Sequence, residues 1–129
     1  MFLISDRMKD AFEENNLTGW KCFPIRLLNK KGEVIEGYRG LTITGRCGPI
    51  DNWKSEVVYK RLIPNGPIGK YYLGLHVGLD EWDESDFFLP KGSYGTIVTS
   101  TAAEVIRSSK LTNIQLTNLA EIETPVLEK

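Results

Sequence analysis

Residues 2–25, FLISDRMKDAFEENNLTGWKCFPI, decide the fold together with residues 96–119, TIVTSTAAEVIRSSKLTNIQLTNL. The two stretches align without a gap at a constant offset of 94 residues (99 − 5), with identity only at Leu17/Leu111 and Thr18/Thr112. Apolar residues align with apolar residues along most of the two stretches, and Ser5 aligns with Thr99. We interpret the two ends as one small unit used twice. The alternative is a chance likeness between two ordinary strand–helix–strand units.

Each copy carries the signals of a strand followed by a capped helix. A short apolar run fits a strand, and the Ser/Thr-rich step after it offers oxygen atoms that cap the first N–H groups of a helix. We expect helices at residues 6–15 and 100–109, each leading through Leu-Thr into a second strand. Their apolar stripes have the i, i+3, i+4 spacing of one helix face: Met8, Ala11 and Phe12 in the first copy, and Ala102, Val105 and Ile106 in the second.

The middle of the chain predicts two hairpins. Apolar runs at residues 20–28 and 34–44 flank one turn signal, and β-branched and aromatic runs at residues 55–63 and 70–77 flank another. Residues 45–52, GRCGPIDN, are rich in turn formers. We therefore predict an α+β fold, with a largely antiparallel sheet, two helices packed on one side and an internal duplication at the two ends. At 129 residues the chain is expected to form a single domain, residues 1–129. We expect the tail after Glu123 to be frayed.

Composition narrows the classes of function. The formal net charge of −1 gives no general attraction to nucleic acid or to an anionic membrane, and basic residues are dispersed. No apolar run approaches the ~20 residues that cross a bilayer, and no secretory signal begins the sequence. Cys22 and Cys47 stand alone, which suits a reducing cytosol and leaves open whether they are close in space. We expect a cytoplasmic protein that binds neither nucleic acid nor membrane.

The sequence lacks the residue groups that most enzymes need. His76 is the single histidine, and it lies in the strand-like run YYLGLHVGL, which favours a structural role. Without further histidines or a cysteine cluster we expect no metal site. No serine has the strand–GxSxG–helix context of a nucleophile elbow, and no glycine-rich stretch forms a phosphate loop. We therefore expect no catalytic residues and no cofactor.

Residues 78–95, GLDEWDESDFFLPKGSYG, form an acidic and aromatic stretch in which no regular element is evident. As a calcium loop it fails, because Trp82 holds a ligand position and no glycine provides the sharp turn. Carboxylates beside a large aromatic ring attract a basic surface and offer it an apolar anchor. The alternative is an ordinary solvated loop whose aromatic residues lie in the core. The candidate partner-binding residues are Asp80, Glu81, Trp82, Asp83, Glu84 and Asp86.

The order of elements from this stretch onward resembles a family of immunity proteins from bacterial polymorphic-toxin systems. In that family a "W-x-x-SDhF" segment, where h is apolar, precedes a strand and a helix–strand unit of the type "S-x-x-h-x-x-h-h-x-x-x-x-L-T". The amino-terminal SDRMKDAFEENNLTGWKCFPI fits the same helix–strand pattern. The matching residues here are Trp82, Ser85, Asp86, Phe88, Thr99, Val105, Ile106, Leu111 and Thr112.

The resemblance implies a protein that binds and neutralises a cognate protein toxin and has no catalytic activity. It carries over no particular toxin contact, because such surfaces differ between pairs. The alternative from another class is an accessory domain that binds a small molecule or a carbohydrate through Trp53, Tyr71, Tyr72 and Trp82. A hydrolase is the third hypothesis.

Overall fold

The structure, a computed structural model, describes residues 2–93, 95–110 and 114–126 and confirms the α+β class. Its helices are α1 (Asp6–Glu14) and α2 (Ser100–Ser108), and short 3-10 turns lie at Asn52–Lys54, Leu79–Glu81 and Leu119–Glu121. Its strands are β1 (Phe2–Ser5), β2 (Trp20–Phe23), β3 (Leu27–Leu28), β4 (Val34–Ile35), β5 (Tyr38–Ile43), β6 (Gly45–Cys47), β7 (Glu56–Lys60), β8 (Gly69–Leu73), β9 (Phe87–Pro90), β10 (Ile97–Val98) and β11 (Glu123–Pro125).

The two end units share their local geometry as far as the end of the helix. The hydroxyl of Ser5 accepts the amide of Met8 and caps α1, and the hydroxyl of Thr99 accepts the amide of Ala102 and caps α2, both at 3.2 Å. Just past each helix a residue adopts a positive φ, 54° at Asn16 and 51° at Lys110, again 94 residues apart (110 − 16). The predicted helices are confirmed, each ending one residue earlier than expected.

The second strand of the repeat forms only in the first copy. β2 pairs with β5, giving the antiparallel sheet β1–β5–β2. In the second copy β10 pairs with β9, but β6 occupies the other edge of β9, so the sheet is β10–β9–β6. The strand expected after α2 is absent at residues 114–118, because the edge that it needs is taken. Residues 111–113, where the expected Leu-Thr step falls, lie outside the described residues.

The two predicted hairpins form, but the strands make several small sheets instead of one. β3 pairs with β4 in the first hairpin, and β7 pairs with β8 in the second. The described strands give three three-stranded sheets and this one two-stranded ribbon. All pairings are antiparallel except that of β6 with β9.

Three stretches expected to be irregular contain strands. β6 lies within residues 45–52, β9 lies within residues 78–95, and the tail contributes β11, which pairs with β8. The last part of the tail, residues 127–129, lies outside the described residues. These expectations were wrong because each strand is defined by a partner distant in sequence. Gly45, for example, pairs with Phe88, and a Cβ at Gly45 would collide with the Ser85 side chain. The missing side chain therefore lets the two segments approach.

The main core lies between the two end units. Phe12 is 1% exposed, and its ring centroid lies 4.8 Å from that of Phe87 and 5.6 Å from that of Trp20. Both helices contribute their predicted apolar stripes to it. Its buried members are Ile4, Phe12, Leu17, Leu41, Ile43, Phe87, Ala102, Val105 and Ile106.

The two cysteines are free thiols. Cys22 is half-buried beside the main core, and Cys47 is buried in a second, smaller cluster with Phe88 and Ile97. Burial raises the pKa of both thiols above the ordinary value of 9.0. Both groups are therefore protonated and poorly nucleophilic at neutral pH.

Candidate partner-binding surface

The acidic stretch is held against a neighbouring segment by backbone hydrogen bonds. Gly48 donates to the carbonyl of Gly78 at 2.8 Å, and Gly78 donates to the carbonyl of Pro49 at 3.1 Å. A single bridge joins Ile50 to Val77 one step further on. A Cβ at Gly48 would lie 2.9 Å from the Cα of Gly78, so these two glycines permit the close approach. The carboxylates that follow are therefore carried on an ordered support.

Asp83 holds the loop in shape. Its carboxylate accepts the amide of Arg46 at 3.0 Å and both the amide and the hydroxyl of Ser85, and its own amide donates to the carbonyl of Arg46 at 3.2 Å. The hydrogen bond from the Ser85 hydroxyl, followed by those from backbone amides, lowers the pKa of Asp83 below its ordinary 3.8. The Asp83 carboxylate is thus hydrogen-bonded to β6, although the residue is exposed to solvent.

Asp86 joins the two copies of the repeated unit. One carboxylate oxygen accepts the amide of Thr18 at 2.9 Å and its hydroxyl at 3.3 Å, and the other accepts the hydroxyl of Thr99 at 2.7 Å. Thr18 follows α1, and Thr99 caps α2. The backbone of Asp86 also bonds to both threonines. This carboxylate therefore has a structural role between the units.

Trp82 is half-buried. Its indole N–H donates to the carbonyl of Ser85 at 3.1 Å, and its ring lies 5.5 Å from that of Phe88. The ring packs against the smaller cluster around Cys47. Trp82 thus supports the loop from beneath, and only part of its surface remains available to a partner.

The remaining carboxylates of the stretch, Asp80, Glu81 and Glu84, are exposed. Asp80 and Glu81 lie on the 3-10 turn Leu79–Glu81, whose first residue is 61% exposed. Within the described part of the chain no ion pair involves any of the three carboxylates. We call Leu79, Asp80, Glu81 and Glu84 the acidic face. The acidic face combines negative charge that no ion pair compensates with the exposed apolar side chain of Leu79. Leu79 was not among the residues predicted from the sequence, although it directly precedes the first carboxylate.

A shallow depression of about 550 Å³ opens beside Glu81. Arg46 and Lys91 also line it. The guanidinium of Arg46 is occupied, because it donates to the carbonyls of Ile43 and Gly45 at 2.8 Å each. The depression therefore borders the acidic face at Glu81, and its own lining is of mixed charge.

The aromatic residues of the small-molecule alternative do not form a common platform. Tyr71 and Tyr72 are neighbours on β8 and so point to opposite faces of its sheet. Trp53 lies on the turn Asn52–Lys54 with 97% of its surface exposed, whereas Trp82 is half-buried elsewhere. Among the described residues no group of three or more potential ligands could hold a metal ion.

Comparison with known families identifies the family of this chain. The sequence model of the immunity protein family Imm11 matches residues 1–121 of the 129-residue chain. The chain belongs to this immunity protein family. Its membership confirms the resemblance seen in the Trp-acidic segment and the helix that follows. A search of curated proteins found no match.

The Imm11 match includes both end units, the acidic face and the strands β7 and β8, and it ends before β11. The match therefore includes the middle of the chain as well as the two ends that carry the resemblance. Within the described ranges, no helix has the length and apolar character that a membrane span requires.

Proposed function

We propose that this chain neutralises a cognate protein toxin by binding it through the acidic face and covering the toxin's active site. Membership of the immunity protein family supports the class of function. The observation that carries the choice of surface is the exposure of Asp80, Glu81 and Glu84 without a cationic partner among the described residues, beside the exposed Leu79.

The physical case for this surface rests on electrostatics. Like charges on one short segment repel each other, and a basic partner surface relieves that repulsion. Uncompensated charge also steers a partner of opposite sign and raises the association rate. Leu79 adds apolar area that is removed from water on contact. The partner that fits is therefore a toxin with a basic, partly apolar surface around its active site.

Within this proposal the six predicted residues divide into two roles. Asp80, Glu81 and Glu84 contact the toxin. Trp82, Asp83 and Asp86 hold the loop in its bound shape, through the hydrogen bonds and ring contact described above. A loop ordered before binding loses less conformational entropy on association, which favours affinity.

We further propose that the protein acts stoichiometrically, as a binder and not as an enzyme. Two free, protonated thiols suit the reducing cytoplasm, where we place the encounter.

The test requires the toxin, and we would take the protein encoded by the neighbouring reading frame. Its toxic activity is titrated with purified wild-type chain. We expect inhibition to be complete near one molar equivalent and unchanged by longer preincubation. Failure to inhibit at tenfold excess contradicts the proposal. Inhibition by a small fraction of an equivalent that deepens with time points instead to enzymatic removal of toxin activity.

A further inference from the structure

The sheet β11–β8–β7 lies outside both apolar clusters. None of the residues of β7, β8 and β11 is buried, and neither cluster includes any of them. β7 forms one edge of this sheet, with no strand beyond it among the described residues. A small sheet gains its stability from a covered face or a covered edge, and this one has little of either.

Large apolar side chains are exposed along β7 and at both of its ends. Trp53 precedes the strand by three residues, and Leu62 and Ile63 follow it by two and three. Their exposed fractions are 97%, 69% and 68%, and those of Val57 and Tyr59 on the strand are 43% and 63%. Apolar surface in this amount on one edge is typical of an interaction site.

We propose that β7 pairs antiparallel with β7 of a second copy of this chain, forming a six-stranded sheet across a two-fold axis at Val58. A two-fold interface requires a surface that is complementary to itself. The sequence of β7, Glu-Val-Val-Tyr-Lys, has this property.

The charges fix the register of the pairing. With Val58 opposite the partner's Val58, Glu56 faces the partner's Lys60 and Val57 faces the partner's Tyr59. Residues that lie opposite each other in an antiparallel pair point to the same side of the sheet. Residues an even number apart on one strand also point to the same side, and the members of each of these pairs are an even number apart. Opposite charges and aromatic–β-branched pairs both stabilise cross-strand contacts.

The neighbouring registers lack this complementarity. Centring the pair on Val57 places Lys54 opposite the partner's Lys60, and centring it on Tyr59 places Glu56 opposite the partner's Leu62. Like charges opposite each other are destabilising. Val58 is therefore the centre that the sequence selects.

The ends of the strand add apolar contact in the same register. An antiparallel pair brings the start of one strand beside the end of the other, so the turn bearing Trp53 approaches the partner's Leu62 and the partner's Ile63. These are among the most exposed large apolar residues described. The pairing thus removes these three side chains from water at least in part.

Lys60 already has a partner within its own sheet. Its ammonium group forms an ion pair with Glu123 and lies 5.4 Å from the ring centroid of Tyr71. These contacts draw the ammonium group across β8 toward β11, away from the free edge of β7, so Lys60 exchanges Glu123 for the partner's Glu56 when the strands pair. Glu56 has no ion-pair partner among the described residues.

A charge exchange tests the pairing. Sedimentation equilibrium of the wild-type chain should give a dimer of about twice 14.6 kDa. We expect Glu56→Lys and Lys60→Glu each to weaken the dimer at least tenfold, because each creates two like-charge pairs across the axis, and the double variant to restore it. Glu104→Lys on α2 makes the same net-charge change as Glu56→Lys and should dimerise as the wild type does. A wild-type chain that stays monomeric at 200 μM overturns the proposal, as does a double variant no better than the singles although folded by circular dichroism.

Cross-linking tests the register independently of those substitutions. In Val58→Cys the two introduced thiols meet at the axis, and mild oxidation should convert most of the protein to a covalent dimer. In Tyr59→Cys each thiol faces the partner's Val57, so little covalent dimer should form. The wild type, with its half-buried and buried cysteines, is the background. Equal cross-linking at positions 58 and 59 contradicts a pair centred on Val58.

Discussion

At Asp86 a single carboxylate connects three parts of the chain. It receives hydrogen bonds from Thr18 after α1 and from Thr99 at the start of α2, while belonging itself to the acidic stretch. Asp80, six residues earlier, is exposed and has no ion pair among the described residues. The two residues have the same chemistry, and their surroundings give them different roles.

Replacing Asp86 should destabilise the fold. Asp86→Ala leaves the amide of Thr18 and the hydroxyl of Thr99 without their acceptor, which we expect to cost about 1–3 kcal/mol in the free energy of unfolding. Asp80→Ala is the matched control and should change stability by less than about 0.5 kcal/mol. Urea denaturation of both variants measures the difference. Equal stability of the two would show that Asp86 does not join the units.

Asp83 should make stability depend on pH in the acid range. Its pKa is lower in the folded chain than its ordinary 3.8, so the unfolded chain takes up the proton first as pH falls. Its stabilising effect is therefore complete above about pH 3.8 and is lost as pH drops through the lower folded value. Asp83→Asn should be less stable than the wild type at pH 6, with the difference shrinking below pH 3.8. A difference independent of pH in chemical denaturation would refute this reading.

At the scale of elements, the repeat provides two helix caps that can be compared directly. We expect Ser5→Ala and Thr99→Ala each to cost about 0.5–2 kcal/mol. The larger loss should be at Thr99, because its hydroxyl also donates to Asp86. Thr101→Ala, in the first turn of α2 but outside the cap, is the control. Thermal or urea melts decide the order, and a smaller loss at Thr99 than at Ser5 would contradict the hydrogen-bond assignment.

The elements that the sequence predicted are those whose signals are local. The caps Ser5 and Thr99, the apolar stripes and the β7–β8 turn all lie within a few residues of what they specify. The pairing of β6 with β9 joins residues 43 positions apart (88 − 45), so no local pattern shows it.

The candidate surface was predictable only in part, because some of its features depend on residues distant in sequence. Its carboxylates were found from composition, but the difference between Asp86 and Asp80 depends on Thr18, which is 68 residues away. For Trp82 the sequence leaves open an anchor for a partner and a ring that lies in the core, because a tryptophan among acids gives no local sign of burial. Its position over Phe88 depends on where β9 lies.

For the whole molecule, the position of the acidic stretch shows how a small fold holds the surface that we propose for toxin binding in an ordered shape. The stretch leaves the Gly48–Gly78 contact, carries the acidic face, and returns through Asp86 into the core between the two end units. One end is therefore fixed to the segment that follows β6, and the other is fixed between the two end units. We also expect residues 1–129 to unfold as a single domain.

The association rate constant with the toxin tests the central claim most directly. The triple variant Asp80→Lys, Glu81→Lys and Glu84→Lys is compared by stopped flow with Asp10→Lys, Glu14→Lys and Glu104→Lys, which makes the same charge change on the helices. At low salt we predict that the acidic-face variant associates at least tenfold more slowly than the helix variant, with the gap narrowing as salt rises. If both folded variants associate at the same rate at every salt concentration, the acidic face is not where the toxin binds.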